Sequence, residues 1–472
     1  MACSKFFSGD LPELLNEIIQ YFQNDYKTLY SCILVNKLLC RLIIPLLWED
    51  PFTTAIYKYD FRNYHFIRIY LNNLSDEDKT KLNEYKRINN IDNDLFSKKS
   101  NALFNYPSFI KRLNVKVFIR CIEKYLTQII NLLPSHPSNS YLTKSLYELL
   151  LKLFIENGAN LHTFEAVMPG RHYDYIEYFN YNFIQYPNFI CDIRKFKLLF
   201  CDDKVANETT FHSFLKYLCL NCHSISSLYL RFSDDTLIQK YLSQMINSQK
   251  DLKKITFEGT INNFTLSNPL LSLKNSNCSN TLKTIIFNRV EFYNIVTINE
   301  IFEELNVLES IHILNCNSLN SNFTRQIMNM IKPFKLKTLI IDDNEILENS
   351  HFESLELLLQ KSGIYLENFK FGFEIDEVNG NIESSQLLIS ITNYCTKIKF
   401  LDLTLDDQNL NSALNLIVNI KQSLDYLSIR CHYFESSSII LQNLGQILPS
   451  KLEYLNLRLT FEIRTCIIIH GR

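Results

Sequence analysis

The sequence is poor in the residue types that build many kinds of active site. Only 9 of its 472 residues are glycine, whereas the loops that cradle phosphate groups need several glycines close together. No P-loop, dinucleotide-binding or protein-kinase motif is present. Its 10 histidines form no Ser-His-Asp or Cys-His arrangement that the sequence itself can define. We therefore expect a protein without catalytic residues and without a cofactor.

Signals for export, membrane insertion and nucleic-acid binding are also missing. No basic-then-apolar leader precedes residue 10, and no apolar run reaches the roughly 18 residues of a membrane-spanning helix. The net charge is -2, so the chain lacks the basic character of nucleic-acid-binding proteins. We expect a cytoplasmic or nuclear protein that contacts neither membrane nor nucleic acid, with its 13 cysteines as reduced thiols.

The first pattern that the sequence does contain is a short amphipathic helix at residues 10–22, DLPELLNEIIQYF. Pro12 falls in its first turn, where the missing N–H costs nothing. A second helix is predicted at about 26–34, and a third from near Asn36 to Pro45, where the proline is expected to end it. Such short helices bury little surface alone, which indicates a module that packs on a partner or on the next domain. The apolar residues of the first helix are spaced for one continuous face and are Leu11, Leu14, Leu15, Ile18, Ile19 and Phe22.

Three motifs in this stretch, taken in order, resemble the F-box family. That family carries Leu-Pro in its first helix, Cys-x-Leu-Val-Asn-Lys/Arg in the middle and Pro-x-Leu-Trp at the end. The resemblance covers residues 9–52 and departs from the family at Leu39, where many members carry a tryptophan. The matching segments of this chain are Leu11-Pro12, Cys32 to Lys37 and Pro45 to Trp48.

The resemblance implies a partner and an assembly. An F-box docks onto a Skp-type adaptor, which tethers the protein to the cullin and RING subunits of a ubiquitin ligase. The residues expected in or beside the adaptor interface are Leu11, Pro12, Leu15 and Ile18. The alternative is that the helices only cap the next domain, and the protein is then an interaction scaffold without a role in ubiquitin transfer.

From residue 225 onward, the pattern apolar-x-x-apolar-x-apolar recurs nine times. It begins with ISSLYL at 225–230 and ends with LEYLNL at 452–457, and consecutive copies start about 26–32 residues apart. This spacing is typical of leucine-rich repeats. The last two apolar residues of each copy alternate, so both point inward from a short strand. Helices are predicted between copies, for example at 235–246, 352–363 and 411–423.

The predicted fold is an α/β repeat, with a three-helix F-box module followed by a curved leucine-rich-repeat solenoid. Its parallel strands would form the concave side and its helices the convex side. Weaker copies of the pattern occur upstream at 110–115 and 193–198, and one at 161–166 fits poorly. The predicted domains are the F-box at 9–52, a helical connector at 53–103 and the solenoid at 104–472.

The segment CLNCH, from Cys219 to His223, has the spacing of a c-type haem attachment site. Zinc is a second alternative, but no second paired set of ligands is present. The zinc ligands would be Cys219, Cys222, His223 and His212. The repeat register favours structural cysteine, because Cys222 and Cys395 each stand three residues before a copy. Cysteine at this turn resembles the cysteine-containing leucine-rich repeats that are often joined to F-boxes, and we expect no bound metal.

The functional surface is expected on the concave face, where the third, fifth and seventh residues of each copy point away from the core. The third residues of the last three copies are Phe400, Tyr426 and Tyr454. Arg430 and Arg458 occupy seventh positions nearby, and aromatic and arginine residues are typical interface anchors. The alternative is that the aromatic residues only stack on one another or lie under the tail at 459–472.

Taken together, the repeats and the resemblance predict a non-catalytic substrate receptor of an SCF (Skp-cullin-F-box) E3 ubiquitin ligase. The F-box would bind the Skp-type adaptor and the repeats would bind a target protein. Aromatic and arginine side chains on one face suit an acidic or phosphorylated peptide with an apolar anchor.

Overall fold

The chain forms two compact units, residues 1–225 and 226–472, which are described separately. The domain limits predicted near residues 52 and 103 stay predictions. The computed structural model describes residues 12–23, 25–53, 64–88, 103–130, 137–168, 186–200, 208–231, 236–259, 267–274, 276–292, 295, 297–316, 321–332, 334–343, 349–373, 382–431, 434–460 and 466–471.

The first unit begins with three helices that share a core of their own, here named the helical module. They are α1 (Pro12–Tyr21), α2 (Tyr26–Ile33) and α3 (Lys37–Leu47). The side chains of Asp25 and Asn36 each accept a hydrogen bond from a backbone N–H three residues ahead, at 3.2 and 2.8 Å, and so cap α2 and α3. The core of the module consists of Leu15, Ile19, Leu29, Leu39, Ile43, Leu46 and Leu47.

The prediction that Pro45 ends the third helix is wrong. Helix α3 continues through the proline to Leu47. A proline inside a helix removes one backbone donor and crowds the preceding turn. The next turn still closes here, because the Trp48 N–H donates to the Ile44 carbonyl oxygen at 3.1 Å. Leu46 and Leu47 are buried in the module core, and their burial holds the last turn in place.

After the helical module, three short parallel strands alternate with helices. The elements of this part are α4 (His65–Asn72), α5 (Asp76–Ile88), β1 (Arg112–Asn114), α6 (Val115–Ile130), α7 (Pro137–Glu156), β2 (Thr163–Met168), β3 (Lys195–Phe200) and α8 (Glu208–Asn221). Leu113 of β1 pairs in register with Phe164 of β2, which pairs with Phe196 of β3. All three upstream copies of the repeat pattern supply a strand, including the copy that fits the pattern poorly.

Trp48 packs the helical module against the rest of the first unit. Its ring lies 5.4 Å from that of Tyr70 in α4 and 4.3 Å from that of Tyr106. The ring of Phe52 lies 4.5 Å from that of Phe118 in α6. Aromatic pairs of this kind contribute about 0.5–1.5 kcal/mol each beyond the area that they bury. The module is therefore fixed within its unit by an aromatic cluster.

Glu49 continues the backbone pattern of the repeats into the helical module. Its carbonyl oxygen accepts the N–H groups of Lys111 and Arg112 at 3.1 and 3.0 Å, and its carboxylate pairs with the Lys111 ammonium at 2.7 Å. The same arrangement recurs at the next strand, where the Lys111 carbonyl oxygen accepts the N–H groups of His162 and Thr163. The end of the module thus takes the place of one repeat.

The second unit alternates strands with helices. Its elements are β4 (Ser227–Arg231), α9 (Thr236–Ser248), β5 (Lys254–Glu258), α10 (Ser267–Leu271), β6 (Thr284–Asn288), α11 (Ile298–Glu304), β7 (Ser310–Leu314), α12 (Ser321–Asn329), β8 (Thr338–Asp343), α13 (Asn349–Ser362), β9 (Asn368–Phe373), α14 (Ile382–Tyr394), β10 (Phe400–Leu405), α15 (Leu410–Asn419), β11 (Tyr426–Cys431), α16 (Phe434–Ile447), β12 (Tyr454–Thr460) and β13 (Cys466–Gly471). Strands β4 to β12 pair in parallel and in chain order, and β13 pairs with β12 in the antiparallel direction. An α/β fold with a parallel sheet and returning helices is confirmed.

The apolar residues of the repeat form the core of the second unit. Leu401 and Leu403 of β10, for example, are fully buried. Backbone hydrogen bonds between copies also keep the strands in register. The carbonyl oxygen of the second residue in a copy accepts hydrogen bonds from two N–H groups of the following copy. At Lys399 these donors are Asp425 and Tyr426, at 2.8 and 2.9 Å. This ladder of paired hydrogen bonds aligns the strands, so that equivalent residues of neighbouring copies lie side by side.

Candidate functional site

The aromatic residues that begin the last three parallel strands form the first part of the candidate site. Phe400, Tyr426 and Tyr454 pair in register on β10, β11 and β12. Their rings stack with centroids 4.3 and 4.6 Å apart, at interplanar angles of 17° and 6°. The sequence predicts a separation of about 5 Å for neighbouring strands. We name these three residues the aromatic row.

The aromatic row stacks on itself and remains partly open to solvent. All three side chains are half-buried, so self-stacking leaves part of each ring accessible. Burial raises the pKa of Tyr426, and the nearby Tyr454 and Asp402 raise it further. Its hydroxyl therefore stays neutral at physiological pH and can donate a hydrogen bond to a bound partner.

Charged side chains lie on the same face, farther along the strands. Arg430 and Arg458 pair in register on β11 and β12. Arg430 is half-buried, and its Nη2 atom lies 3.8 Å from the Asp402 carboxylate. On the preceding strands, Lys370 forms an ion pair with Asp342. Arg458 is exposed and has no ion-pair partner among the residues that the structure describes, so it leaves one positive charge in this group unbalanced.

Gly372 makes room for Arg430 and is not among the site residues predicted from the sequence. A Cβ atom on Gly372 would lie 2.8 Å from Arg430 Nη2 and 2.8 Å from Asp342 Oδ1. It would also lie 3.5 Å from Thr404 Oγ1. The Arg430 side chain therefore crosses β10 and reaches β9. A glycine inside a strand often marks such a close approach, and this signal was present in the sequence.

The predicted adaptor-binding residues fall into different environments. Leu11 lies outside the described residues, and Pro12 begins α1. Leu15 belongs to the core of the helical module, whereas Leu14 and Ile18 are 44% and 37% exposed. One edge of the apolar face of α1 is therefore buried in the core, and the other edge is exposed to solvent. The predicted role of these residues in adaptor binding stays a prediction.

Cys219 and Cys222 are buried thiols in the last part of α8 and directly after it. Cys222 Sγ donates a hydrogen bond to the Ile190 carbonyl oxygen at 3.2 Å, and burial raises the pKa of both thiols to about 12. Both thiols are therefore protonated at neutral pH. His223 is exposed, and its Nε2 lies 3.0 Å from the Leu220 carbonyl oxygen. The geometry favours a structural role for both cysteines.

His312 is an outward-facing residue of β7 that sequence reasoning missed. Its Nε2 lies 3.0 Å from Ser310 Oγ. Burial, together with the positive charges of Lys254 and Lys370, lowers its pKa from 6.5 to about 4. The imidazole is therefore neutral at physiological pH. Such a shift depends on strands that are distant in sequence, so no local motif announces it.

Replacing His312 by glutamine is expected to make the second unit less sensitive to acid. In the wild type the unfolded chain binds a proton at His312 near pH 6.5, whereas the folded chain does so only near pH 4. The contribution of neutral His312 to the free energy of unfolding is therefore fully present above pH 6.5 and is lost as pH falls toward 4. We expect the variant to avoid about 1–2 kcal/mol of this loss, a value reduced because the side chain is partly exposed.

Thermal melting between neutral pH and pH 4 measures this difference. The control is Gln244→Ala, which changes an exposed residue of α9 without a titratable group and should keep the pH profile of the wild type. Identical profiles for the wild type and His312→Gln would contradict the assignment.

No protein-family model matches the chain, and a search of curated proteins found no match to its sequence. Within the described ranges, no helix combines the length and apolar character needed to cross a membrane. The described residues also contain no group of three or more His, Cys, Asp or Glu side chains placed to hold a metal ion.

Proposed function

We propose that the protein is a non-catalytic substrate receptor of a Skp–cullin–F-box ubiquitin ligase. The helical module would bind the Skp-type adaptor, and the outward face of the strands in the second unit would bind a target protein. Ubiquitin transfer would be carried out by the other subunits of the ligase. The proposal joins the ordered F-box-like motifs of residues 9–52 to the repeat architecture that follows them.

The observation that carries this proposal is the apolar surface of the helical module. Helix α1 exposes Leu14 and Ile18 on one side, while Leu15 and Ile19 fill the core on the other, and Phe22 directly after the helix is also exposed. The turn between α2 and α3 adds Leu34 and Val35, which are 85% and 63% exposed. Leu14 and Ile18 are one turn apart on α1 and therefore adjoin each other, and adjoining exposed apolar residues mark interaction sites in monomeric proteins. A module with a complete core and this much apolar surface is suited to bind a partner.

The attachment of the module is also consistent with the proposal. A receptor must hold its target at a defined distance from the ligase, so a loose link between module and repeats would be a disadvantage. Trp48 fixes the module to Tyr70 of α4 and to Tyr106 through ring contacts, and Glu49 fixes it to β1 through paired backbone hydrogen bonds. These contacts fit a receptor and a helical cap equally, and the exposed apolar surface of the module favours the receptor.

Affinity purification with mass spectrometry tests the proposed function. The intact chain is expected to recover a Skp-type adaptor together with a cullin, and a chain lacking residues 1–52 is expected to recover neither. Recovery of other proteins by both chains, without an adaptor, would contradict the proposal and favour an interaction scaffold with no ubiquitin role.

A further inference from the structure

Four buried polar atoms on the outward face of β10, β11 and β12 make no hydrogen bond to any described residue. They are Asp402 Oδ1, Thr404 Oγ1, Arg430 Nη2 and Asn456 Oδ1, and we name these residues the polar cluster. Thr404 and Asn456 are only 2% and 9% exposed. A buried polar group without a partner costs about 1–3 kcal/mol, and native proteins contain few of them. Asp402 Oδ1 and Arg430 Nη2 lie 3.8 Å apart, which is an ion pair but too long for a hydrogen bond. The four atoms on adjoining strands therefore indicate a place where a ligand supplies the missing hydrogen bonds.

The polar cluster is one continuous patch. Thr404 pairs in register with Arg430, and Asp402 and Asn456 both pair with Ser428, which lies between them. Asn456 Nδ2 donates to Ser428 Oγ at 3.3 Å, which leaves Asn456 Oδ1 as an acceptor. Because neighbouring strands lie about 4.8 Å apart, one short ligand segment can reach all four atoms once the half-exposed Arg430 side chain rotates.

The chemistry of the four atoms distinguishes between ligands. Arg430 Nη2 and the Thr404 hydroxyl can donate hydrogen bonds, whereas Asp402 Oδ1 and Asn456 Oδ1 can only accept them. A peptide with a carboxylate side chain satisfies both kinds, because its carboxylate accepts and its backbone N–H groups donate. A phosphopeptide offers the same backbone donors, but its phosphate charge of nearly two would face the Asp402 carboxylate beside Arg430.

The charge balance leads to the same ligand. Arg430 is next to Asp402, and Lys370 is paired with Asp342. Arg458 therefore contributes the one unbalanced positive charge in this group of five residues. A single carboxylate neutralises that charge, whereas a phosphate dianion would leave a negative charge over a face that already holds two carboxylates.

We propose that the aromatic row and the polar cluster bind an extended segment of a target protein. An apolar side chain of this segment lies on the row, and an Asp or Glu, rather than a phosphorylated residue, lies at Arg430 and Arg458. This inference deepens the proposed function and rests on its part that the repeats bind a protein. Tyr426 and Arg430 are four residues apart on β11, or about 13 Å. An extended peptide covers that distance with roughly four residues.

Fluorescence anisotropy with labelled peptides and the full-length chain tests the inference. The probe is a Gly-Ser peptide with one Phe followed by one Asp at varied spacing. Comparison peptides replace Asp by Asn or phosphoserine, or Phe by Ala. We expect saturable binding of the Phe–Asp peptide at one spacing and at least tenfold weaker binding of all comparison peptides.

Variants of the protein locate the binding surface. Tyr426→Ala and Arg458→Gln are each expected to weaken the Phe–Asp peptide at least tenfold. Arg458 is exposed, so its replacement leaves folding intact even if Tyr426→Ala lowers the melting temperature. Lys240→Gln, on the exposed side of α9, is the matched charge control and should bind as the wild type does.

Three results would overturn the inference: tighter binding of the phosphoserine peptide, wild-type affinity in folded Tyr426→Ala and Arg458→Gln, or no binding by any peptide. Adaptor binding measured on the same preparations separates the two proposals. A chain that binds the adaptor but no peptide refutes only this inference. A chain that binds the Phe–Asp peptide but no adaptor refutes the ubiquitin role and leaves this inference standing.

Discussion

Replacing Leu14 and Ile18 together by glutamine is expected to weaken adaptor binding roughly 30- to 150-fold. Full burial of such a side chain contributes about 1.5–3 kcal/mol. Both are already partly covered, at 44% and 37% exposure, so together they should contribute about 2–3 kcal/mol to binding. Glutamine is a good helix former, and neither residue belongs to the module core. The helical module should therefore stay folded while its affinity falls.

Calorimetric titration of the purified adaptor into the full-length variants measures this loss. The matched control makes the same chemical change elsewhere, with Ile389→Gln and Val418→Gln, which are exposed on α14 and α15. This control should bind the adaptor with wild-type affinity. Wild-type affinity in the Leu14→Gln, Ile18→Gln variant would place the adaptor on another surface and remove the main support for the proposed function.

Gly259→Ala is expected to destabilise the second unit by about 3 kcal/mol or more. A Cβ atom at Gly259 would lie 1.8 Å from the carbonyl oxygen of Arg289 and 2.8 Å from its carbonyl carbon. The clash is with backbone, so no side-chain rotation can relieve it. The Gly259 N–H donates to the Asn288 carbonyl oxygen at 2.8 Å, and a shift large enough to admit the methyl group would break this bond.

Urea unfolding monitored by circular dichroism measures this change, and Gly445→Ala provides the control. Gly445 is inside α16. A Cβ atom there would have no neighbour within 4 Å apart from the adjacent residues and the backbone of its own helix. Alanine there should stabilise the protein by about 0.5–1 kcal/mol because it favours the helix. The two substitutions are thus expected to have opposite signs. An unchanged free energy of unfolding in Gly259→Ala would contradict this prediction, because the two backbone segments would then separate at little cost.

The aromatic row could be predicted from the sequence because a strand has a fixed period of two. Once Leu401 and Leu403 are assigned to the core, Phe400 must face outward, and the equal spacing of the copies places Tyr426 and Tyr454 beside it. The repeat pattern therefore determines both the face and the register of these residues. The same reasoning holds for Arg430 and Arg458, which lie an even number of residues farther along.

Other features could not be predicted, because they depend on contacts between distant segments. The spacing of Leu14 and Leu15 does not tell which of them faces α3. The path of Arg430 across β10 is set by Gly372, two strands away. The copy at 161–166 was hard to detect because Ala166 stands where a large apolar residue is usual. Its strand still packs in the core, with the Phe164 and Phe196 rings 5.9 Å apart.

The ladder of paired backbone hydrogen bonds makes the second unit cooperative only between neighbours. Each copy gains its stability from the copies before and after it, as in a linear chain of coupled elements. Disorder in one copy is therefore expected to extend to the adjacent copies rather than to unfold the whole unit at once. The aromatic row lies on three consecutive copies, so one partial unfolding event would remove the whole row. Target binding could then be switched off while the rest of the unit stays folded.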